Sequence, residues 1–477
     1  MVWLQQLSLK YKRALSLGTV PDLEWDQLET LGFDLVWLMG VWQRSPLGRQ
    51  MAIATTPLHA AFQEALPGWT QEDIGGSPYS IQADEPDPLV GDWGDLRKSR
   101  QALNQRGMGL ILDFVPNHTG LDHPWVLKHP DRYIRVDPEL CRRDPASFCS
   151  VATDAGRSLC LARGRDPSFP AWKDTLQLNI LESETRAALI RTLQRISQEC
   201  DGVRCHMAML LLNSIFKQTW QLDASTDLQR EFWSSLREEI PGSILIAEAY
   251  WDTAMSLLGL GLDCVYDKSL YDQLLGGDVS RLRQTLQGPE RLQTKLVRFL
   301  ENHDEQRSLT ALGPARIRPA AWLIATVPGM KLYHLGQLGG RRHRIPVQLC
   351  RGREEPVDAE LFEFYRQVLA TTSHGCFRTG SFALEPVQQA GDESYLHLIA
   401  FSRTLGAEVR LVVVNLTGES AQGRIAPGCS LKKGRSYRIL DLDSKIYRRS
   451  AAQLEGGLHV VLEPYQAYVF RVLGSRF

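Results

Sequence analysis

The chain of 477 residues has no excess of charge: 54 Lys and Arg stand against 55 Asp and Glu, for a formal net charge of −1. So even a balance builds no broad positive field for a phosphate backbone or an anionic bilayer, and neither nucleic acid nor a membrane is expected as a partner. Nowhere do about 18 apolar residues run together, so no transmembrane helix is predicted. The opening MVWLQQLSLKYKRALSLGTV lacks an uninterrupted apolar stretch leading to a small-residue cleavage site, and no secretory leader is read there. Cysteine is scattered and odd in number: nine residues (141, 149, 160, 200, 205, 264, 350, 376 and 429) without a C-x-x-C pair. This excludes a disulfide framework and points to free thiols in a reducing, cytoplasmic compartment. Fixed-period repeats and low-complexity tracts are missing as well, which sets aside solenoids and disordered arrays.

What is present is an ordinary globular composition, 43% hydrophobic and 23% charged, long enough for two or three domains at roughly 100–200 residues each. Short β-rich apolar runs recur: Leu35–Leu38, Gly109–Phe114, Gly202–Cys205, Ile244–Ala247, Cys264–Tyr266, Val297–Leu300 and Met330–Tyr333. Between them lie segments with apolar spacing near 3.6 and charged outer faces, such as Asp92–Arg106, Ser183–Glu199 and Asp227–Glu239. Alternation of strand and helix predicts a parallel sheet, and seven such repeats favour an α/β fold closed as a TIM (β/α)8 barrel.

Spacing adds detail. A barrel of about 250 residues spends about 31 on each unit, yet 91 positions separate Asp113 from Arg204. The excess predicts a subdomain inserted after the third barrel strand, over 119–174, where the chain is polar, dotted with Pro and holds three of the cysteines. From about Cys376 the pattern turns to alternating strands with Gly-rich turns, YLHLIAFSR, EVRLVVVNLTG, GRSYRILDL, GLHVVLEP and AYVFRVL. These predict a separate antiparallel β-sandwich. The expected organisation is a barrel over 1–118 and 175–375, the insert over 119–174, and the sandwich over 376–477.

Barrel enzymes do their chemistry at the C-terminal ends of the strands. Read in order, those positions hold Asp113-Phe-Val-Pro-Asn-His118, Asp201-Gly-Val-Arg-Cys-His206, Ala247-Glu248-Ala249 and Glu301-Asn-His303-Asp304-Glu305. A single acidic residue ending a strand is ordinarily a loop cap or an ion-pair partner. Four groups in order, each leaving a predicted strand, form a far more specific signal. With Gly76-Ser-Pro-Tyr79-Ser they resemble the motifs of the α-amylase family, glycoside hydrolase family 13, over nearly the whole chain.

The resemblance implies a retaining mechanism on α-glucosidic bonds of small glucosides, oligosaccharides or α-glucans. Two carboxyl groups about 5–5.5 Å apart would then serve as nucleophile and as acid then base. Glu248 matches the general acid/base, whose pKa would be raised to keep it protonated at neutral pH. Asp304 matches the carboxylate that stabilises the transition state, His118 and His303 the donors to the sugar, Tyr79 the stacking ring, and Asp113 the residue that fixes the arginine network. Arg204 and position 206 share one face of their strand. Hydrolysis, transglycosylation and isomerisation share these motifs and are not separated by them.

One position departs from the pattern. Where the family has an Asp nucleophile this chain has His206, and an imidazole cannot supply the anionic oxygen that forms a glycosyl ester. Three readings follow: hydrolysis impaired or abolished; His206 acting as a base on water, which needs carboxyl groups about 6.5–9.5 Å apart; or a catalytically inactive carbohydrate-binding pseudoenzyme. A second departure lies at the start. Relatives place a strand before the segment matching Val2-Trp-Leu-Gln-Gln-Leu, so the first barrel strand is expected to be absent or a remnant. A third is Leu335, where relatives often carry an acid.

Other signals carry less. Cys200, Cys205 and His206 match no zinc spacing, and Cys205 is expected to face away from His206. Arg341-Arg-His343-Arg344 reads as a solvated or substrate-facing loop. Trp42, Trp93, Trp125 and Trp172 are candidates to stack on sugar, whereas Trp37, inside a strand, is expected in the core. Asn117 matches a calcium ligand of the family, but no acidic partners can be assigned in the insert, so no cofactor is expected beyond that one ion.

Overall fold

A computed structural model of the protein describes residues 1–152, 158–222, 230–426, 431–432, 434–442 and 445–474. Cys429 and the start of the segment expected to be helical over 227–239 lie outside them. The chain divides into two compact units, residues 1–266 with 344–354, and residues 267–343 with 355–477.

In the first unit five strands run parallel in chain order: β1 (Leu35–Trp37), β2 (Gly109–Phe114), β3 (Gly202–Cys205), β4 (Ile244–Ala247) and β5 (Cys264–Tyr266). Each falls within a residue of the apolar run that predicts it. The register sets Asp113 opposite Arg204 and Arg204 opposite Ile246, so the chemistry-bearing ends of β2, β3 and β4 lie level. Gly202 makes the close approach of these strands feasible: a Cβ there would meet Ile111 Cδ1 at 2.7 Å and Ile244 Cβ at 3.0 Å.

The helices between strands follow the expected periodicity. Trp93–Gln105 starts on Asp92, whose side chain accepts the Asp95 N–H, and buries Leu96, Ser99 and Leu103. Ser183–Gln198 buries Ala188, Leu189, Leu193 and Ile196 while Arg191 points outward. The excursion after β2 leaves and returns through one antiparallel ribbon, His118–Gly120 against Thr175–Gln177, and carries a hairpin, Phe148–Ala152 against Ser158–Ala162.

The second unit holds β6 (Leu296–Phe299) and β7 (Met330–Leu332), again parallel, with Val297 opposite Met330. The helical stretch between them, Ser308–Thr326, is kinked at Gly313, whose φ of +74° precedes Pro314. The parallel strands thus number seven among the described residues, and the segment Val2-Trp-Leu-Gln-Gln-Leu lies in a helix, Val2–Lys10.

The C-terminal strands form a six-stranded and a three-stranded antiparallel sheet. Their period-2 pattern serves two cores. Leu398, Ala400, Leu411 and Val413 face the space between the sheets. Their neighbours Ile399, Phe401, Val412 and Val414 face the helices of the same unit, packing with Leu323, Val327 and Tyr365. Such two-sided burial explains why EVRLVVVN reads as a continuous apolar run. No helix among the described residues is long and apolar enough to cross a membrane.

Candidate active site

The ends of β2, β3 and β4 bring Asp113, Arg204, His206 and Glu248 together in the first unit, all of them buried. The Glu248 N–H donates to the Cys205 carbonyl at 3.1 Å and the His206 N–H to the Phe114 carbonyl at 2.8 Å, which extends the ladder to the catalytic positions. Alternation along β3 turns Arg204 and His206 to one side and leaves Cys205 buried on the other, as expected. Burial pushes the Cys205 thiol well up and the Cys200 thiol to about 12, so both are inert thiols.

Arg204 is the centre of the arrangement. Its Nη1 donates to His206 Nδ1 at 2.7 Å and lies 3.5 Å from Asp113 Oδ1. Its Nε reaches the Tyr266 hydroxyl at 3.4 Å. Nη2 lies 2.8 Å from Glu248 Oε1, an ion contact whose N–H is not aligned for a hydrogen bond. The guanidinium also stands over three rings, Trp37 at 5.1 Å, Tyr79 at 5.4 Å and Tyr266 at 5.7 Å. Trp37, expected in the core, is therefore part of this cluster, because its ring covers the face of the arginine.

The hydrogen-bond geometry fixes the state of His206. An arginine N–H is always a donor, so at 2.7 Å the His206 Nδ1 must carry its lone pair and the proton sits on Nε2. Glu248 Oε2, at 3.1 Å from the same Nδ1, then faces a lone pair rather than an N–H. Burial, with Arg204 adding to it and Glu248 opposing it, keeps the imidazole neutral below its ordinary pKa. A neutral ring with Nδ1 occupied and Nε2 protonated has no free lone pair, so it offers neither a nucleophile nor a base for water. The other faces of the ring are taken: Tyr79 stacks on it at 3.9 Å and 3° between planes, and His118 meets it edge-on at 5.6 Å.

Glu248 differs from expectation. Burial pushes its carboxyl up, but the Arg204 guanidinium and the Met207 N–H outweigh burial and hold it well below the usual carboxylate range. Met207 N donates to Oε2 at 2.5 Å and the Tyr250 hydroxyl to Oε1 at 3.0 Å. The group is a carboxylate with donors on both oxygens, not the protonated acid foreseen from the motif. The physical reason is the missing neighbour: an anionic side chain at position 206 would repel the charge and raise the pKa, and a neutral imidazole does not. Met207 aims its N–H here by adopting a φ of +46°, a left-handed conformation that costs a residue with a Cβ of order 1 kcal/mol.

His118 is neutral, its pKa lowered to about 3 chiefly by burial, and lies edge-on to Trp172 at 5.0 Å. Asp113 accepts the Gly40 N–H at 3.1 Å, and its backbone carbonyl accepts from the Trp42 indole at 2.8 Å. Trp42 is thereby a structural ring packed on Trp93. Asn117, the residue matched to a calcium ligand, is tied to Gln177. Its Oδ1 and backbone carbonyl both accept from Gln177 Nε2, at 3.0 and 2.9 Å.

The remaining expected residues belong to the second unit. His303 is buried and its Nε2 lies 3.0 Å from Asp304 Oδ2, while the Asp304 side chain is 46% exposed. Glu301 is fully buried, held by Arg307 Nη1 at 2.7 Å and by the backbone and hydroxyl of Ser308, both at 2.7 Å. Leu335 contributes its carbonyl to Arg307 at 2.9 Å. Sequence reasoning overlooked Tyr266, Tyr250 and Trp251. The last, with Asp252, is one of two consecutive non-glycine residues at positive φ, +54° and +57°, three residues after Glu248, and the Tyr-Trp-Asp run carries no turn signal that would reveal it.

Comparison with known proteins follows this geometry. No family model matches the chain. An α-amylase, MalA, of Haloarcula japonica is 23% identical over 405 residues, 83% of this chain and 51% of the relative. Neopullulanase 2 of Thermoactinomyces vulgaris is 22% identical over 363 residues, 70% of this chain and 56% of that one. The chain thus spans about half the length of the curated relatives it matches. Among solved structures, a noncanonic maltogenic α-amylase, AmyB, of Thermotoga neapolitana aligns with a TM-score of 0.67 at 18% identity, covering 95% of this chain and 93% of the other. That likeness establishes the fold: the barrel with antiparallel C-terminal strands expected from the sequence.

Proposed function

We propose that this chain is an α-amylase-family protein that binds an α-glucosidic saccharide and whose double displacement is impaired or lost through His206. The relatives named as α-amylase and neopullulanase support the substrate class. The observation that carries the impairment is the Arg204–His206–Glu248 contact set. The position for a nucleophile holds a neutral ring, and the position for an acid holds an ionised carboxylate. Neither half of the reaction has its reagent: nothing attacks the anomeric carbon, and nothing protonates the leaving oxygen. The same tautomer argues against single displacement with His206 as base.

Both defects have one origin. An Asp at position 206 would receive the Arg204 N–H as a carboxylate, and its charge would lift the Glu248 pKa toward that of an acid. The test assays the native chain and His206→Asp on maltotriose, a cyclomaltodextrin and an aryl α-glucoside, with maltotetraose binding by calorimetry on native and Glu248→Gln. Measurable binding by the native chain with turnover gained only in His206→Asp supports the impaired enzyme. Native turnover equal to that of the Asp variant sinks it. Binding without turnover in both forms favours the binding protein, and no saccharide binding overturns the proposal as a whole.

A further inference from the structure

A cleft of about 430 Å³ opens on the first unit among the strand Ile81–Pro86, the short helix Pro124–Lys128 and the helix Ser183–Gln198. None of its lining residues belongs to the cluster around Arg204, and its charges do not cancel. Glu85 is spent: Oε1 accepts from Arg195 Nη1 at 2.6 Å and Oε2 from the Trp93 indole. Arg195 is spent with it, since Nη2 donates to the Asp84 carbonyl at 2.6 Å. Asp84 itself is lifted to about 6, chiefly by burial.

Three donors remain. The Arg132 guanidinium lies 4.4 Å over the Trp125 ring, and neither it nor Arg191 forms a side-chain hydrogen bond or ion pair among the described residues. Burial and the neighbouring Arg191 both bear against the charge of Arg132. His123 is 5% exposed, and its Nδ1 accepts the Trp125 N–H at 3.1 Å. That bond fixes the neutral tautomer and leaves Nε2–H, unpartnered among the described residues, as the donor this ring offers to the cleft. Two adjacent guanidinium groups that no carboxylate binds directly, with Asp84 on the cleft wall and Glu184 acting on Arg132 from a distance, stand beside the His123 ring N–H and are together complementary to an oxyanion. The volume exceeds what a bare ion needs, and Pro124, Trp125 and Ala188 supply apolar wall.

We infer that this cleft binds a small organic anion, a phosphate monoester or carboxylate whose oxygens accept from Arg132, Arg191 and His123 while its body lies against Trp125. Calorimetry on the full chain with glucose 6-phosphate, gluconate, inorganic phosphate and glucose tests it. The expected result is that glucose 6-phosphate or gluconate binds at least tenfold tighter than both glucose and inorganic phosphate. The tighter of the two identifies the headgroup. The double variant Arg132→Gln/Arg191→Gln should lose that affinity tenfold or more without changing maltotetraose binding. If the double variant does not fold, Arg191→Gln alone, on the exposed side of its helix, should lose several-fold. Equal affinity for glucose and glucose 6-phosphate, a bare phosphate site, unchanged binding in the variants, or no binding by either organic anion would each overturn it.

Discussion

Two clusters in this protein use the same three residue types to different ends. In the second unit, Arg307 Nη1 lies 2.7 Å from Glu301 Oε1 and 2.8 Å from His334 Nδ1. In the first, Arg204 Nη1 lies 2.7 Å from His206 Nδ1, and Nη2 lies 2.8 Å from Glu248 Oε1. The Arg307 cluster is closely tied. Ser308 closes the second carboxylate oxygen of Glu301 twice, and the carbonyls of Leu335 and His343 take further donors of the arginine. The Arg204 cluster is not: only the bond to His206 is short and aligned, the approaches to Asp113 and Tyr266 are long, and Nη2 has no aligned acceptor. A brace ties its carboxylate from several sides, whereas a site keeps donors for something else. Here the unaligned donor, Nη2, stands beside Glu248, and Nη1 meets a histidine at position 206, where a carboxylate would fit.

This contrast can be broken most directly at position 206. His206→Asp should raise turnover of α-glucosides from background by on the order of 10⁴, measured as kcat on an aryl α-glucoside; no gain would mean that the cluster is not limited at that position. Next in size is the brace. Arg307→Met should cost about 3–5 kcal/mol in urea unfolding because it strands the buried Glu301 carboxylate, and a loss below about 1 kcal/mol would show that Arg307 is not a brace.

The third effect is on acid stability. His118 and His123 have folded pKa values lowered to about 3 and about 4, below the ordinary 6.5, so the unfolded chain binds protons first as pH falls. Their contribution is complete above 6.5 and is lost as pH drops toward 4. Melting temperatures should therefore decline across that window, and His118→Gln should flatten the decline; an unchanged slope would show that the ring is not buried in its neutral form. Smallest are the hydroxyls. Ser308→Ala should cost about 1–2 kcal/mol and Tyr250→Phe nearer 0.5–1 kcal/mol, read from denaturant midpoints, because the first carboxylate is sealed and the second is not.

The barrel was readable because its signals are local. Apolar runs mark each strand, and the 91-residue gap after Asp113 marks the excursion. The site residues were readable as a set, since Asp113, Arg204, His206 and Glu248 end successive strands and the register makes them level. Their protonation was not. Glu248 reads as an acid by position, yet its state depends on where two arginine nitrogens and one backbone N–H point, and the turn at Met207 that aims the latter has no sequence signature. Trp37 misleads for a related reason: a tryptophan inside a strand packs in a core by default, and only the third dimension shows that a guanidinium lies on its face. Asn117 could not be paired with Gln177, because nothing periodic links residues 60 apart.

The ribbon that pairs His118 with Gln177 and Gly120 with Thr175 has a consequence for how this protein can change. It pins both ends of the excursion to adjacent register positions, so the span between the departing and returning strands does not depend on how much chain lies beyond the neck. Closing a loop costs an entropy that grows with the logarithm of its length, about 0.6 kcal/mol per doubling. Residues can therefore be added to the parts of the insert that make no contact with the rest of the unit at small thermodynamic cost to the strands beneath the neck.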